Sequence, residues 1–289
     1  MYKIFTDTDT DITPEEASYY GYKLISMPYI IDGKEIKPYE DFETFDYKEF
    51  YDLLRTGVVP KTCAINSEEY KKYFTKTLEE GYDILYVHFS KAMSGTFNAM
   101  NIAIEDLKEQ FPERTIYTID TMGITICSLN IVKEIGDLYL QNKSIEEIIS
   151  WSKKEVKHFA TYFFSDNLNF FKHSGRISNF SAIMGTLFGV HPIIAMTSEG
   201  TMMSVSKCKG KRKSLAKLVD YVCELGVDVD KHRIIIGHSD SIELAKQLEI
   251  MLEERFGKKL PIEYAVVNPT AGSHCGPDTV GVSFYAKNR

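Results

Sequence analysis

Five segments carry residues whose types and spacing suit chemistry. The first is Asp7-Thr8-Asp9-Thr10-Asp11-Ile12-Thr13, directly after a short apolar run. Asp9 to Thr13 formally matches D-x-D-x-T, in which a phosphatase of the haloacid-dehalogenase type uses the first Asp as a Mg²⁺-bound nucleophile. The nucleophile of that chemistry belongs at the strand's carboxyl end, which is Asp7, and counted from Asp7 the fifth residue is Asp11 rather than Thr. A polar turn that caps the next helix, or the floor of a binding site, fits the pattern better. The second is Ser94-Gly95-Thr96 at a strand–loop–helix junction, with Thr62 before the preceding helix. Hydroxyls beside the free N–H groups and partial positive charge of a helix start suit an anion, and Gly95 allows close approach. Capping alone also explains Ser94.

The third segment is Gly175-Arg176-Ile177-Ser178, which leads into the apolar stretch Phe180 to Met196. Its plain reading is a core segment with one surface arginine. The fourth is Gly272-Ser273-His274-Cys275-Gly276-Pro277-Asp278, read as a Gly-rich loop that places His274 between two strands, within reach of a ligand. The fifth is Lys207-Cys208-Lys209-Gly210-Lys211-Arg212-Lys213, a basic run at a strand–helix turn. It suits phosphate, an acidic partner or an anionic membrane surface, or is simply solvated. Gly237-His238-Ser239-Asp240-Ser241 resembles a nucleophile elbow but lacks the closing glycine. There is no Walker loop, no G-x-G-x-x-G and no H-E-x-x-H.

These segments need a scaffold to bring them together, and the elements can be read from periodicity. Strands are expected at Tyr2–Thr6, Ile84–Phe89 and Thr115–Ile119, with helices at Tyr47–Thr56, Ser67–Glu80 and from Ser94 to about Phe111, and two more across 124–157. Leu24–Ile36 reads as a hairpin turning at Asp32-Gly33. Strands that alternate with helices predict a doubly wound, mostly parallel sheet with helices on both faces. From residue 158 the pattern changes to hairpins mixed with helices, such as Pro192–Thr197 and Met202–Lys207 around Glu199-Gly200, which predicts an α+β unit. The expected division is therefore an α/β domain over 1–157 holding the Thr62 and Ser94 loops, and an α+β domain over 158–289 holding the Arg176 and His274 loops.

Composition bounds the function. The 289 residues are 44% hydrophobic and 26% charged, as in ordinary globular proteins with a sizeable core. A net charge of −7 gives no footprint for nucleic acid. Residues 1–154 carry 17 basic and 27 acidic side chains and the rest 17 and 14, so the halves present different surfaces. Five scattered cysteines without a C-x-x-C pair suggest neither a disulfide framework nor a zinc site. The acidic first twenty residues are unlike a secretory signal, and no apolar run reaches the roughly 18 residues of a membrane span. The expected location is cytoplasmic.

Taken in order along the chain, the segments resemble the DegV family of bacterial fatty-acid-binding proteins. The resemblance is carried by Asp7-Thr8 with Asp11-Ile12, Ser94-Gly95-Thr96-Phe97-Asn98-Ala99, Asp120-Thr121, Gly175-Arg176-Ile177-Ser178, Gly210-Lys211-Arg212-Lys213 and Gly272-Ser273-His274-Cys275-Gly276-Pro277. It implies a long-chain fatty acid in an apolar tunnel, its carboxylate held by Thr62 and Ser94, with Gly95 and Thr96 at the helix start and His274 and Arg176 completing the polar end. It further implies no cofactor or metal, and a role as carrier that presents the acid to a separate ATP-using fatty acid kinase subunit for acyl phosphate formation. The chain departs from the family's usual T-S-Q-P-S loop with Thr62-Cys63-Ala64-Ile65-Asn66, from its K-P with His191-Pro192, and from G-P-G with Gly276-Pro277-Asp278. The residues also allow an acyl or phosphoryl hydrolase with Ser94 as nucleophile, His274 as base and Asp7 or Asp120 as orienter, or a fold kept for another small carboxylate or a sterol-like ligand.

Overall fold

A computed structural model describes residues 1–178 and 189–289. Residues 180–188 of the apolar stretch after Arg176 lie outside the described residues. The first sheet is parallel throughout, in the order β2 (Tyr22–Ile25), β1 (Tyr2–Asp7), β6 (Asp83–His88), β7 (Ile116–Asp120). Strand β6 shows why it is central: Ile84, Leu85, Tyr86 and Val87 are all fully buried, as a strand covered on both faces requires. Ile84 and Tyr86 meet α3 (Ser67–Glu79) and α4 (Thr96–Gln110), whereas Leu85 and Val87 meet α1 (Pro14–Tyr20) and α5 (Ile126–Leu140).

The helix starts follow local chemistry. Thr13 and Glu16 form a reciprocal capping box ahead of Pro14, and Gly21, in the left-handed conformation at φ 82°, closes α1. Leu24 and Ile25 correct the sequence reading: they belong to β2, paired in parallel with β1, and not to the hairpin. Pro28 lies between the two strands, and the hairpin is confined to β3 (Tyr29–Ile31) and β4 (Lys34–Ile36). Its turn residues Asp32 and Gly33 have φ of 51° and 77°, the two positive values that a type I′ turn needs. Strand β5 (Lys61–Thr62) adds to this small sheet and carries Thr62 opposite Tyr29.

The second sheet is mixed, in the order β10 (Met202–Lys209), β9 (Val190–Met196), β8 (Phe159–Ser165), β13 (Thr279–Tyr285), β11 (Ile234–His238), β12 (Ile262–Val266), with only β11 and β12 parallel. Its outer face is apolar: Tyr162, Phe164, Val280, Val282, Phe284 and Ile236 pack under α8 (Lys211–Leu225) and α9 (Ile242–Phe256). Its inner face carries the alternate residues, Thr161, Phe163 and Ser165 on β8 paired with Ser283, Gly281 and Thr279 on β13. Helix α5 lies against this inner face and is buried continuously from Ile126 to Lys133, as a helix wedged between layers must be. Buried clusters accordingly draw on both sides of residue 157: Ile235 joins Ile4 and Leu85, and Ile194 and Met202 join Phe5 and Tyr86.

The close seat of α5 explains Gly237. A Cβ there would lie 2.4 Å from Cγ2 of Ile126, a buried, β-branched side chain with little freedom to move. Gly237→Ala is expected to destabilise the protein by about 1–3 kcal/mol, measured by denaturant unfolding. A second departure from the sequence reading concerns the segment around His274. It is not a loop but a helix, α10 (Pro269–Cys275), started by Asn268, whose side chain accepts from the Ala271 N–H, and by Pro269 in the first turn. Gly272 reads as a loop residue but serves packing: a Cβ there would meet Tyr51 Oη at 2.6 Å. The basic run is also divided. Lys207 and Lys209 lie on β10, and Lys211, Arg212 and Lys213 form the first turn of α8.

Candidate functional site

A cavity of about 210 Å³ lies between the inner face of the second sheet, the end of the first sheet and α10. Its walls are mainly apolar. Met27, Phe89, Met93 and Ile126 come from the first half, Phe163, Met196 and Met202 from the second sheet, Phe171 from α7 (Asn169–Ser174), and Val267 and Ala271 from α10 and its approach. Gly237 and Gly281 are paired across β11 and β13 and also line the cavity. Thr62, Ser94, Gly95, Thr96, Arg176 and His274, the six residues singled out in the sequence, all border it.

They come from four places in the fold: β5, the start of α4, the segment after α7, and α10. Thr62 Oγ1 and His274 Nε2 are 2.9 Å apart, although 212 residues separate them in sequence. His274 stands in the last turn of α10, where burial first and the Arg176 guanidinium second push its pKa down to about 4. The imidazole is therefore neutral at pH 7, with one nitrogen able to donate and the other to accept. Ser94 follows a short 3₁₀ turn and takes the Thr96 N–H at 3.2 Å. Gly95 occupies the cap position of α4 and has no side chain to cap it, so of the first-turn N–H groups Ser94 meets that of Thr96. The Thr96 hydroxyl is turned to structure: it donates to Ile65 O at 3.2 Å and lies 3.3 Å from Tyr70 Oη, tying the Thr62 loop to α4. Arg176 follows Gly175, whose φ of 64° closes α7, and donates to the Ser174 carbonyl. It is exposed and also borders an open cleft with Lys91, Asn98 and Asn101 outside the cavity mouth.

The aspartates of the opening turn have distinct roles. Asp7 accepts from Tyr86 Oη at 3.0 Å and from the N–H groups of Phe89 and Asp9 at 3.1 Å each; burial still raises its pKa to about 7. Asp11 Oδ1 takes two donors from Asn268, at 2.8 and 2.7 Å, and so fixes α10 against the first sheet. Asp9 lines the cavity, a placement that the repeating Asp-Thr pattern could not distinguish from a helix cap. Among the described residues there is no group of His, Cys, Asp and Glu suited to a metal ion. Nor does any hydrogen bond among them join His274 to Ser94, Asp7 or Asp120, so a nucleophile–base–orienter chain is not assembled. Ser239 accepts the Thr279 N–H at 2.9 Å, a structural role.

These features define a class: an α/β protein with two main sheets, a mainly apolar cavity between its layers and a polar cluster bordering that cavity. The model for the DegV family, described as “uncharacterised protein, DegV family”, matches residues 1–287, and the chain belongs to that family. A DegV domain-containing protein of Clostridium perfringens is 32% identical over 287 residues, 99% of this chain and 98% of that one. A fatty acid binding DegV family protein from Streptococcus agalactiae is similar in structure, with a TM-score of 0.84 at 25% identity over 100% of this chain and 99% of that one. A stearic acid-binding protein from Eubacterium ventriosum shares the fold, with a TM-score of 0.87 at 21% identity over 99% of each chain. Among the described residues no helix is long and apolar enough to cross a membrane.

Proposed function

We propose that the protein binds a long-chain fatty acid in this cavity, with the carboxylate at Thr62, Ser94 and His274, and presents it to a separate fatty acid kinase for acyl phosphate formation. The observation that carries the reading is the Thr62–His274 pair at 2.9 Å bordering a mainly apolar cavity. A carboxylate leaving water needs hydrogen-bond donors, and two hydroxyls, a neutral imidazole and the start of α4, whose cap residue Gly95 has no side chain, can supply them. A tail of about 14 methylenes, at ~0.8 kcal/mol each, offers on the order of 11 kcal/mol of gross burial. Association and ordering costs take part of it and still leave room for tight binding. The fatty-acid-binding DegV protein of Streptococcus agalactiae supports the ligand class. The partner kinase is inferred from the family resemblance and from the exposed cleft beside Arg176.

Native mass spectrometry of the protein purified from a bacterial host tests the reading: a copurifying fatty acid is expected, and protein that neither carries lipid nor takes it up when offered refutes it. Two finer outcomes follow. A carboxylate beside His274 favours the imidazolium form, so its pKa, about 4 in the empty site, rises on loading. Imidazole NMR titration of the empty and loaded protein measures this, and identical midpoints contradict the assignment. Arg176 stands exposed at the junction of cavity and cleft, so Arg176→Ala is expected to impair acyl phosphate formation more than lipid retention. Equal loss of both refutes that division.

A further inference from the structure

The cavity lining also includes a carboxyl oxygen with no hydrogen-bond partner among the described residues. Asp9 is 5% exposed and lines the cavity. Its backbone is fully engaged, the N–H with Asp7 Oδ1 at 3.1 Å and the carbonyl with the Thr125 N–H at 2.8 Å. Its Oδ1 accepts nothing among the described residues. The neighbours differ: Asp7 takes three donors, and Asp11 takes two on Oδ1, while the unpartnered Oδ2 of Asp11 belongs to a residue outside the cavity lining. A buried polar atom left unsatisfied in a native fold calls for a ligand group or a water.

The electrostatic setting says which ligand group. Burial first, then Asp7 and Asp11, hold the Asp9 carboxyl well above the usual carboxylate range, which favours the protonated form, able both to donate and to accept. The opposite wall repeats the theme. Thr161 and Thr279, 3% and 5% exposed, line the same cavity with hydroxyls that have no partner among the described residues. Thr161 faces Ser283 and Thr279 faces Ser165, so the two mark depths four residues apart, roughly 13 Å along the strands. A plain alkyl chain lying against these groups desolvates all three and returns no hydrogen bond.

We propose that Asp9 recognises a hydroxyl or oxo group carried along the acyl chain, so that the preferred ligand is an oxygenated fatty acid; this rests on the fatty-acid reading above. The test offers delipidated protein equimolar octadecanoic acid and its monohydroxylated positional isomers, and reads retention by native mass spectrometry. At least one isomer is expected to be retained about tenfold over the unsubstituted acid. Asp9→Leu is expected to abolish or invert that preference, and Asp9→Asn to keep much of it, because an amide also donates and accepts. Retention of octadecanoic acid with no hydroxylated isomer ahead of it overturns the proposal and leaves fatty acid binding intact. A preference unchanged in Asp9→Leu overturns the role of Asp9. If Asp9→Leu does not fold, the wild-type ranking together with Asp9→Asn decides. Binding of neither acid overturns the lipid reading itself, and this proposal with it.

Discussion

Met202→Trp is expected to give a folded protein that holds fatty acid at least a hundredfold more weakly. Met202 opens β10, is 5% exposed and lines the cavity. Its backbone ties the hairpin, the carbonyl accepting the Ser178 N–H at 2.9 Å and the Ser178 hydroxyl at 3.0 Å and the residue pairing with Met196, while its side chain joins a buried cluster that borders the cavity. An indole in place of the thioether grows into existing space instead of into packed neighbours, so the usual overpacking cost of about 1–3 kcal/mol is largely avoided. The ligand loses what the indole occupies. Four displaced methylenes at ~0.8 kcal/mol each remove about 3 kcal/mol, roughly two decades in affinity. Thermal unfolding and lipid retention measured on the same sample check both halves; undiminished retention contradicts the cavity's role.

His274→Leu is the second large effect, acting on the head group. The substitution keeps an apolar body at the end of α10 but removes the hydrogen-bond partner proposed for the carboxylate. It also releases Thr62, now 2.9 Å from the imidazole. A hydrogen bond to a charged group contributes about 1.5–3 kcal/mol, so retention should fall by roughly ten- to hundredfold. Because Thr62 and His274 contact one another, Thr62→Val in the His274→Leu background should cost less than in the wild type. Additive losses, measured as dissociation constants in a double-mutant cycle, contradict a shared head-group site. The two substitutions also differ in kind: Met202→Trp should penalise long chains most, whereas His274→Leu should act regardless of chain length.

The parts of this architecture that were legible in the sequence are those set by local chemistry. The left-handed turn at Asp32-Gly33 and the helices found over Tyr47–Arg55 and Ser67–Glu79 are each set within a few residues. Where two physical causes leave the same sequence mark, the reading failed. Gly272 suggests a loop, but its reason is the approach of Tyr51 to a helix. Leu24 and Ile25 look like one arm of a hairpin until the parallel register with β1 assigns them to the main sheet. Of the polar residues that border the cavity, Thr62, Ser94 and His274 drew attention by type and position, whereas Arg176 did so only through the family resemblance. The cavity was not legible, because residues far apart in sequence enclose it: Met27, Phe163, Met202 and Val267 come from separate parts of the chain. Only long-range pairing brings such positions together, and a single sequence carries no trace of that pairing. Asp9 was hidden for the same reason, since one Asp in an alternating run looks like the next until the fold buries each differently.

A crystal structure of the protein loaded with an 18-carbon fatty acid tests the central claim most directly. It should show the carboxylate oxygens within hydrogen-bonding distance of Thr62 Oγ1 and Ser94 Oγ, with His274 alongside and the chain running past Met202 and Phe163. Acid bound elsewhere, or a chain lying in the cavity with its head group away from those three side chains, contradicts it.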